Sequence, residues 1–468
     1  MKIPIITIVG RPNVGKSTLF NKIAGRRIAI TANEAGTTRD RIFHKVEHEI
    51  MDFFLVDTGG LEFGKGETTI EDDMQSQARV AIEEGDLVLF MVESQTGLQS
   101  QDYSAAELLR KKVNKPVILV VNKCDRPLEE AELAEFYTLG LGEPHPVSAM
   151  HKMGMSNLID ELLAALKKRH FLSKTDEAYQ ELLKQEGRHP NIALVGKPNA
   201  GKSSLINAIL NKEKLIVSDI PGTTRDSTDS LVNHKDKAYN FIDTAGLKRK
   251  GKIGTGIEHF SALRSMASIE HSDVSLLVLD TSATPSHQDQ VIASYIIEAG
   301  KGLLILANKW DLKDEEDPEE IERRRMYISK LRRKFPFLSW APVVFTSAVT
   351  KKNMHHIFEN VDEIIKERKK RISTAKLNTF VEKMVMEHAP TGRGKVRPRL
   401  YYMTQIQTNP PHFLAFVNKK GNFHFSYIRY IENRLREQFE FSGTPIKIEY
   451  REKHVDEVRK QIMKGRMK

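Results

Sequence analysis

The 468-residue sequence predicts an α/β protein with two doubly wound, mostly parallel sheets in tandem and a smaller α+β domain behind them. Three observations predict this. One set of glycine-rich and polar motifs occurs twice at a fixed offset, and each copy alternates short β-rich runs with helical stretches. The last hundred or so residues then change in charge.

A chain this long exceeds what one hydrophobic core fills and suits roughly three domains. With 40% hydrophobic and 29% charged residues it has the composition of a globular protein. No apolar run approaches the ~20 residues that span a bilayer, and Met1 to Gly10 is short for a signal peptide. A cytoplasmic location without a membrane partner is therefore expected, and a monomer. The single cysteine, Cys124, allows no internal disulfide, in keeping with a reducing compartment.

The repeat sets the organisation. Gly10-Arg11-Pro12-Asn13-Val14-Gly15-Lys16-Ser17 recurs as Gly196-Lys197-Pro198-Asn199-Ala200-Gly201-Lys202-Ser203. Gly36-Thr37-Thr38-Arg39-Asp40 recurs as Gly222-Thr223-Thr224-Arg225-Asp226, and Asp57-Thr58-Gly59-Gly60-Leu61 as Asp243-Thr244-Ala245-Gly246-Leu247. Asn122-Lys123-Cys124-Asp125 recurs as Asn308-Lys309-Trp310-Asp311. Each pair is 186 residues apart (196 minus 10, 308 minus 122), which marks a duplicated domain. A fifth element, Ser148-Ala149 and Ser347-Ala348, is 199 apart, so the second copy holds 13 extra residues, assigned to the acidic-then-basic stretch Asp314 to Lys334. Between the copies, Lys167 to His189 reads as a charged linker with some helix around Tyr179, Leu182 and Leu183. The expected domains are 1–165, 188–370 and 371–468, with 166–187 as linker.

In the first copy the expected strands are Ile5 to Val9, Phe53 to Val56, Leu87 to Val92 and Val117 to Val121. Their partners are Ile192 to Val195, Phe241 to Ile242, Val274 to Leu279 and Leu303 to Ala307. The motifs fall at the ends of these runs, where open α/β sheets bind ligands.

The first motif follows a strand and opens a helix with an apolar face (Leu19, Phe20, Ile23), the context of a phosphate site. Gly10 and Gly15 let the backbone curl so that N–H groups face phosphate, aided by the helix dipole. Lys16 and Lys202 are expected on the β- and γ-phosphates, and the Ser17 and Ser203 hydroxyls on magnesium. Thr38 and Thr224, on a loop whose order depends on the γ-phosphate, are the expected second magnesium ligands. Asp57 and Asp243, ending apolar strands, are expected to hold the magnesium shell. Gly60 and Gly246 can offer a backbone N–H to the γ-phosphate.

Asn-Lys-x-Asp selects the base. The carboxylate of Asp125 or Asp311 can accept two hydrogen bonds from guanine N1–H and the exocyclic amine, donors that adenine lacks there. Asn122 and Asn308 suit guanine N7 or loop bracing, and the stems of Lys123 and Lys309 can cover the ring. Ser148-Ala149 and Ser347-Ala348 are expected to supply backbone contacts to the guanine oxygen. Two GTP or GDP sites with magnesium follow.

From Arg371 to Lys468 there are 20 Lys+Arg and 9 Asp+Glu, a local charge of +11, so the rest of the chain sums to −1 of the total +10. An RNA-facing module and a merely solvated basic surface are the two readings of that charge. The tail reads as helix (Thr374 to Glu387), strand (Leu400 to Gln405), strand (Phe413 to Val417), helix (Tyr427 to Phe439) and strand (Ile446 to Tyr450).

These residues resemble the Der (EngA) family of bacterial GTPases, tandem G domains followed by a KH-like domain, and the resemblance covers essentially the whole chain. It rests on the duplicated motifs and on the tail segments Asn409 to Asn418 and Ser426 to Tyr430. The resemblance implies GTP hydrolysis coupled to assembly of the large ribosomal subunit, with the subunit, its rRNA or its proteins as partners of the basic domain. The tail lacks the Gly-x-x-Gly loop with which KH domains clamp nucleic acid, since Gly392-Arg393-Gly394 has the wrong spacing, so docking or backbone contact is expected instead of base reading.

Where many GTPases carry a water-orienting glutamine, this chain has Leu61 and Leu247. Asn13 and Asn199 look like the asparagine that in related GTPases helps bind potassium near the phosphates, where a cation offsets developing charge. Before Gly36 stand Glu34 and Ala35, against Ile220 and Pro221 in the second copy, so the two switch loops differ in stiffness. The alternative function is a nucleotide-sensing RNA-binding module or a tRNA-modification GTPase.

Overall fold

The computed structural model describes residues 3–25, 43–57, 85–112, 115–126, 129–177, 189–212, 214–215, 229–244, 260–312, 320–390, 397–419, 421 and 423–452. The chain divides into two compact units, Met1–Gly187 and Arg188–Lys468.

The first unit holds a six-stranded sheet in the order β2-β3-β1-β4-β5-β6. Its strands are β1 (Ile5–Gly10), β2 (Phe43–Val46), β3 (Phe53–Asp57), β4 (Leu87–Glu93), β5 (Val117–Asn122) and β6 (Pro144–Pro146). β2 runs antiparallel to β3 and every other pairing is parallel. Buried on both faces, the central strands are continuous apolar runs: β1 and β4 are buried throughout. Ile6 and Ile8 pack on one face with Leu19 and Phe20 of α1 (Lys16–Ile23) and Leu158 and Leu162 of α4 (Met155–Lys168). Val9, Val88 and Phe90 pack on the other with Ala105 and Leu109 of α2 (Ser100–Lys112) and Phe136 of α3 (Glu130–Tyr137). β1 lies between β3 and β4, so the first motif emerges where the strand order reverses.

The second unit repeats this plan. Its seven-stranded sheet has the order β13-β12-β11-β7-β10-β9-β8. The strands are β7 (Asn191–Val195), β8 (Lys214–Leu215), β9 (Ser230–His234), β10 (Lys237–Phe241), β11 (Val274–Asp280), β12 (Gly302–Asn308) and β13 (Val343–Phe345). Around it stand α5 (Lys202–Lys212), α6 (Phe260–His271), α7 (His287–Glu298), α8 (Glu320–Lys334) and α9 (Met354–Lys369). The strand expected at Phe241 to Ile242 instead spans Lys237–Phe241 and pairs antiparallel with β9, because only Tyr239 and Phe241 turn fully inward and Lys237 is exposed. α8 has 15 residues where α3 has 8, so this helix takes up part of the 13-residue excess.

The C-terminal part of this unit is α10 (Thr374–Glu387), β14 (Leu400–Gln407), β15 (His412–Val417), α11 (Phe425–Phe439) and β16 (Lys447–Glu452). β15 is central, antiparallel to β14 and parallel to β16. Phe413, Ala415, Ile431 and Leu435 fill its core, and the Ser373 hydroxyl caps α10. The linker residues Tyr179, Leu182 and Leu183, the residues Gly392 to Gly394 and the two expected switch loops lie outside the described residues.

This C-terminal part is fastened to the second sheet by buried polar contacts. Arg368, 4% exposed, donates through Nε to Asn409 Oδ1 (2.8 Å) and through Nη1 to Gly300 O (2.9 Å), while its own carbonyl accepts from Asn409 N–H (2.8 Å). Burial brings its guanidinium down to about 10. The neighbouring Glu367 carboxylate accepts from Phe441 N–H (2.8 Å) and Lys370 Nζ (2.6 Å). Leu303 N–H of β12 donates to Gly443 O at 2.8 Å.

Candidate functional site

Each phosphate loop runs from the carboxyl end of a buried strand into a helix. In the first, Gly15 has φ +97°, and a Cβ there would lie 2.3 Å from Asn122 Nδ2. In the second, Gly201 has φ +91° and the same 2.3 Å approach to Asn308 Nδ2. Glycine is required at both for two reasons at once, the left-handed backbone and the space. Asn13 and Asn199 also lie in the left-handed region, at φ 67° and 64°, which asparagine tolerates better than most residues.

The two loop lysines are buried. Lys16 Nζ donates to Gly10 O (2.6 Å) and Arg11 O (2.8 Å), and Lys202 Nζ to Gly196 O and Lys197 O (both 2.6 Å). These carbonyls hold each ammonium at the loop that the nucleotide phosphates would enter. The Ser17 hydroxyl donates to Asp57 Oδ2 at 2.8 Å, bringing together two of the oxygen donors expected around magnesium. Hard oxygen ligands of this kind suit that ion.

The second copy departs here. Asp57 is the last residue of β3, but Asp243 lies two residues beyond β10 with φ 54°. Its N–H donates to Asp229 Oδ1 (3.0 Å), and its Oδ2 accepts from Ser268 Oγ (3.5 Å). The left-handed turn places the second carboxylate in a different backbone setting from the first. Thr244, buried, exchanges a hydrogen bond with Ser230 at 2.7 Å.

In the guanine motifs the asparagines brace loops. Asn122 Nδ2 donates to Val14 O (2.8 Å), and Asn122 Oδ1 accepts from Ala149 N–H (3.1 Å). One buried amide thus ties the phosphate loop to the fifth motif, and the Ala149 N–H expected at the guanine oxygen is engaged by Asn122. Asn308 Nδ2 likewise donates to Ala200 O (2.9 Å), and its Oδ1 accepts from Thr346 Oγ1 (3.4 Å). Asp125 accepts from the Ser148 hydroxyl (2.9 Å), and its side chain is 52% exposed, which leaves it open to solvent beside the expected base. Ser347 Oγ accepts from Thr350 N–H (3.0 Å), and Ala348 is partly buried against the second core. Asp311 sits in a short 3-10 helix, Trp310–Leu312.

Cys124 and Trp310, the variable residues of the two motifs, are 4% and 3% exposed. Cys124 Sγ donates to Val121 O, and Trp310 packs on Phe345 with ring centroids 4.4 Å apart. Both side chains face the core, and burial pushes the Cys124 thiol up. Among the remaining candidates, Pro12 is exposed, Pro198 half-buried, and Val14 and Ala200 buried beneath their loops. Thr38, Thr58, Gly59, Gly60, Leu61, Thr224, Ala245, Gly246 and Leu247 lie outside the described residues.

Two supporting pairs per copy were not foreseen. Lys123 Nζ meets Glu93 Oε1 (2.9 Å) and Lys309 Nζ meets Asp280 Oδ2 (2.6 Å), so each lysine expected to cover the base is held by a carboxylate ending the adjacent strand. The phosphate-loop cations face buried aspartates: Arg11 Nε to Asp102 Oδ2 at 2.8 Å, and Lys197 Nζ to Asp289 Oδ2 at 4.0 Å. Burial raises the Asp102 carboxyl, against the opposing pull of Gln99 N–H and Arg11. These partners share an offset of 187 (280 minus 93, 289 minus 102), so an alignment of the copies allowing a one-residue slip would have revealed them.

No helix among the described residues is long and apolar enough to cross a membrane. The model of 50S ribosome-binding GTPases matches residues 5–123 and again 191–309, and the KH-domain-like model of EngA bacterial GTPase enzymes, C-terminal, matches 371–451. The chain is 45% identical to GTPase Der of Clostridium novyi (strain NT) over 450 residues, 96% of this chain and 99% of that one. It is 43% identical to GTPase Der of Alkaliphilus oremlandii (strain OhILAs) over 96% of this chain and 98% of that one. The FeoB G-domain from Methanococcus jannaschii matches 36% of this chain and 99% of its own at 25% identity, with a TM-score of 0.27. With both phosphate loops, both guanine motifs and the C-terminal domain accounted for, the chain belongs to the Der (EngA) family of bacterial GTPases.

Proposed function

We propose that this GTPase is a cytoplasmic, monomeric switch in ribosome biogenesis that acts in assembly of the large subunit through its basic C-terminal domain. The observation that carries this is the pairing of two sets of nucleotide motifs, each braced by a buried asparagine, with a domain of charge +11. That charge suits an rRNA backbone. The proposed boundaries are 1–165, 166–187, 188–370 and 371–468, and the break between Gly187 and Arg188 supports the middle one.

Within each site, Lys16 and Lys202 would leave the loop carbonyls for the β- and γ-phosphates, exchanging two neutral acceptors for anionic ones. Ser17 and Asp57, with Thr38, would hold magnesium in the first site, and Ser203, Asp243 and Thr224 in the second. When bound, the ion neutralises charge on the transferred phosphoryl group. Gly60 and Gly246 would donate N–H to the γ-phosphate. Asp125 and Asp311 would read guanine, with Lys123 and Lys309 across its face. Asn13 and Asn199 would help hold potassium, so turnover in potassium should exceed turnover in sodium. The different settings of Asp57 and Asp243 support two unequal sites, one reporting state and the other setting timing.

Co-sedimentation with ribosomal subunits under GTP and GDP tests the reading. Association with the large subunit that changes with nucleotide is expected, and no nucleotide dependence would sink it. Lys16→Ala and Lys202→Ala, assayed separately for GTP turnover, should each abolish one site's contribution.

A further inference from the structure

We infer that the outer face of α8 is a second RNA-binding surface, distinct from the C-terminal domain, that grips the phosphate backbone. After the guanine motif the two copies place a helix at the same point in the fold, with opposite charge. α3 of the first copy, Glu-Ala-Glu-Leu-Ala-Glu-Phe-Tyr, has three acidic residues and no basic one. α8 of the second, Glu-Ile-Glu-Arg-Arg-Arg-Met-Tyr-Ile-Ser-Lys-Leu-Arg-Arg-Lys, has seven basic and two acidic. The fold therefore does not require a basic helix here.

The inward face of α8 is settled by packing. Leu331 is buried, and Tyr327 and Ile328 pack against Trp310 and Phe345. Others of its cations are committed locally: Arg324 pairs with Glu320, and Arg332 donates to Ala341 O at 2.6 Å. Arg325 pairs with Glu322 at 3.6 Å. Lys330, Arg333 and Lys334 are exposed, and among the described residues their side chains have no ion-pair partner. Their spacing of three and four residues puts them on one helix face. Interaction with the helix dipole is worth only a few tenths to ~1 kcal/mol and would account for cations alone. It does not account for Met326, 50% exposed, one turn before Lys330, or for Phe337, 39% exposed, in the short 3-10 helix Pro336–Leu338 that follows α8. Cations flanked by exposed apolar and aromatic side chains are what nucleic-acid backbones and unstacked bases require. At the far end, Trp340 lies under Arg436 of the C-terminal domain, 4.6 Å from guanidinium carbon to ring centroid. The segment that follows α8 thus touches the C-terminal domain within one unit.

The test uses the full-length chain carrying Lys330→Ala, Arg333→Ala and Lys334→Ala together, with a labelled RNA hairpin of about 20 base pairs as probe. Removing three phosphate contacts should lower the slope of log affinity against log salt by roughly 2 to 3 and weaken binding more than tenfold at moderate salt. The control Lys167→Ala/Lys168→Ala, at the exposed end of α4, should leave the slope unchanged. Melting temperature and GTP turnover should match wild type, since none of these residues lies in a nucleotide site. An unchanged slope in the triple variant overturns the inference. So does a variant that keeps its RNA affinity but loses a ribosomal protein or anionic vesicles. Because the probe is an isolated hairpin, this result stands apart from whether the chain associates with ribosomal subunits.

Discussion

Asn122→Ala isolates the part of the first site that the structure makes most dependent on one side chain. The amide is 3% exposed and makes two bonds across long sequence separations, to Val14 O at 2.8 Å and from Ala149 N–H at 3.1 Å. Truncation leaves a buried carbonyl and a buried N–H unmet, each costing about 1–3 kcal/mol. It also opens the space against Gly15. If half of the combined ~2–6 kcal/mol falls on the loop arrangement that nucleotide needs, GDP affinity at this site drops roughly 5-fold to 140-fold, at about 1.4 kcal/mol per decade. Fluorescent-GDP titration in a Lys202→Ala background reads the first site alone. Asn122→Asp should be no better, because a carboxylate oxygen would replace the donor facing Val14 O. Affinity within threefold of wild type for either variant would refute the bracing role.

Gly15→Ala and Gly201→Ala should each eliminate nucleotide binding at their own site, because the added carbon meets an asparagine amide at 2.3 Å on a left-handed backbone; calorimetric titration reads the number of sites left. Gly443→Ala, at φ +65° with its Cβ 2.3 Å from Ile364 Cγ1, should destabilise the second unit by about 1–3 kcal/mol, measured by denaturant unfolding. The Asp280 carboxyl is pushed up by burial but pulled lower overall by Lys309 and by the Ser282 N–H and hydroxyl. A lowered carboxyl favours the folded chain above its ordinary value of 3.8, and the advantage disappears as pH falls through the lowered value. The stability deficit of Asp280→Asn should therefore shrink as pH drops below about 4; a constant deficit from pH 6 to 3 would count against the pairing.

Much of this was legible in the sequence because its signals are local. The α10 helix begins and ends where its capping serine and apolar spacing put it, and the apolar runs at Ile5, Leu87 and Leu303 become strands buried on both faces. Short and half-buried strands carry a weaker signal. β10 shows alternation weak enough that only its last apolar residue stood out, and β8 has two residues. The pairs Glu93 with Lys123 and Arg11 with Asp102 join residues 30 and 91 positions apart, so only the folded sheet brings them together. The left-handed turn at Asp243 carries no sequence signal at all, since the matching Asp57 ends β3 without it.

The seven residues of β12 are buried from end to end. At one end Asn308 is bonded to Ala200 of the second phosphate loop, and near the other Leu303 is bonded to Gly443. Five residues of extended chain separate them, about 17 Å. A segment gripped along its whole length by neighbouring strands behaves as a push-rod and not as a spring. A displacement at the Asn308 end would then reach Leu303 with little lost on the way, and a domain exchanged for this one would have to meet the Leu303 N–H as well as Arg368 and Glu367.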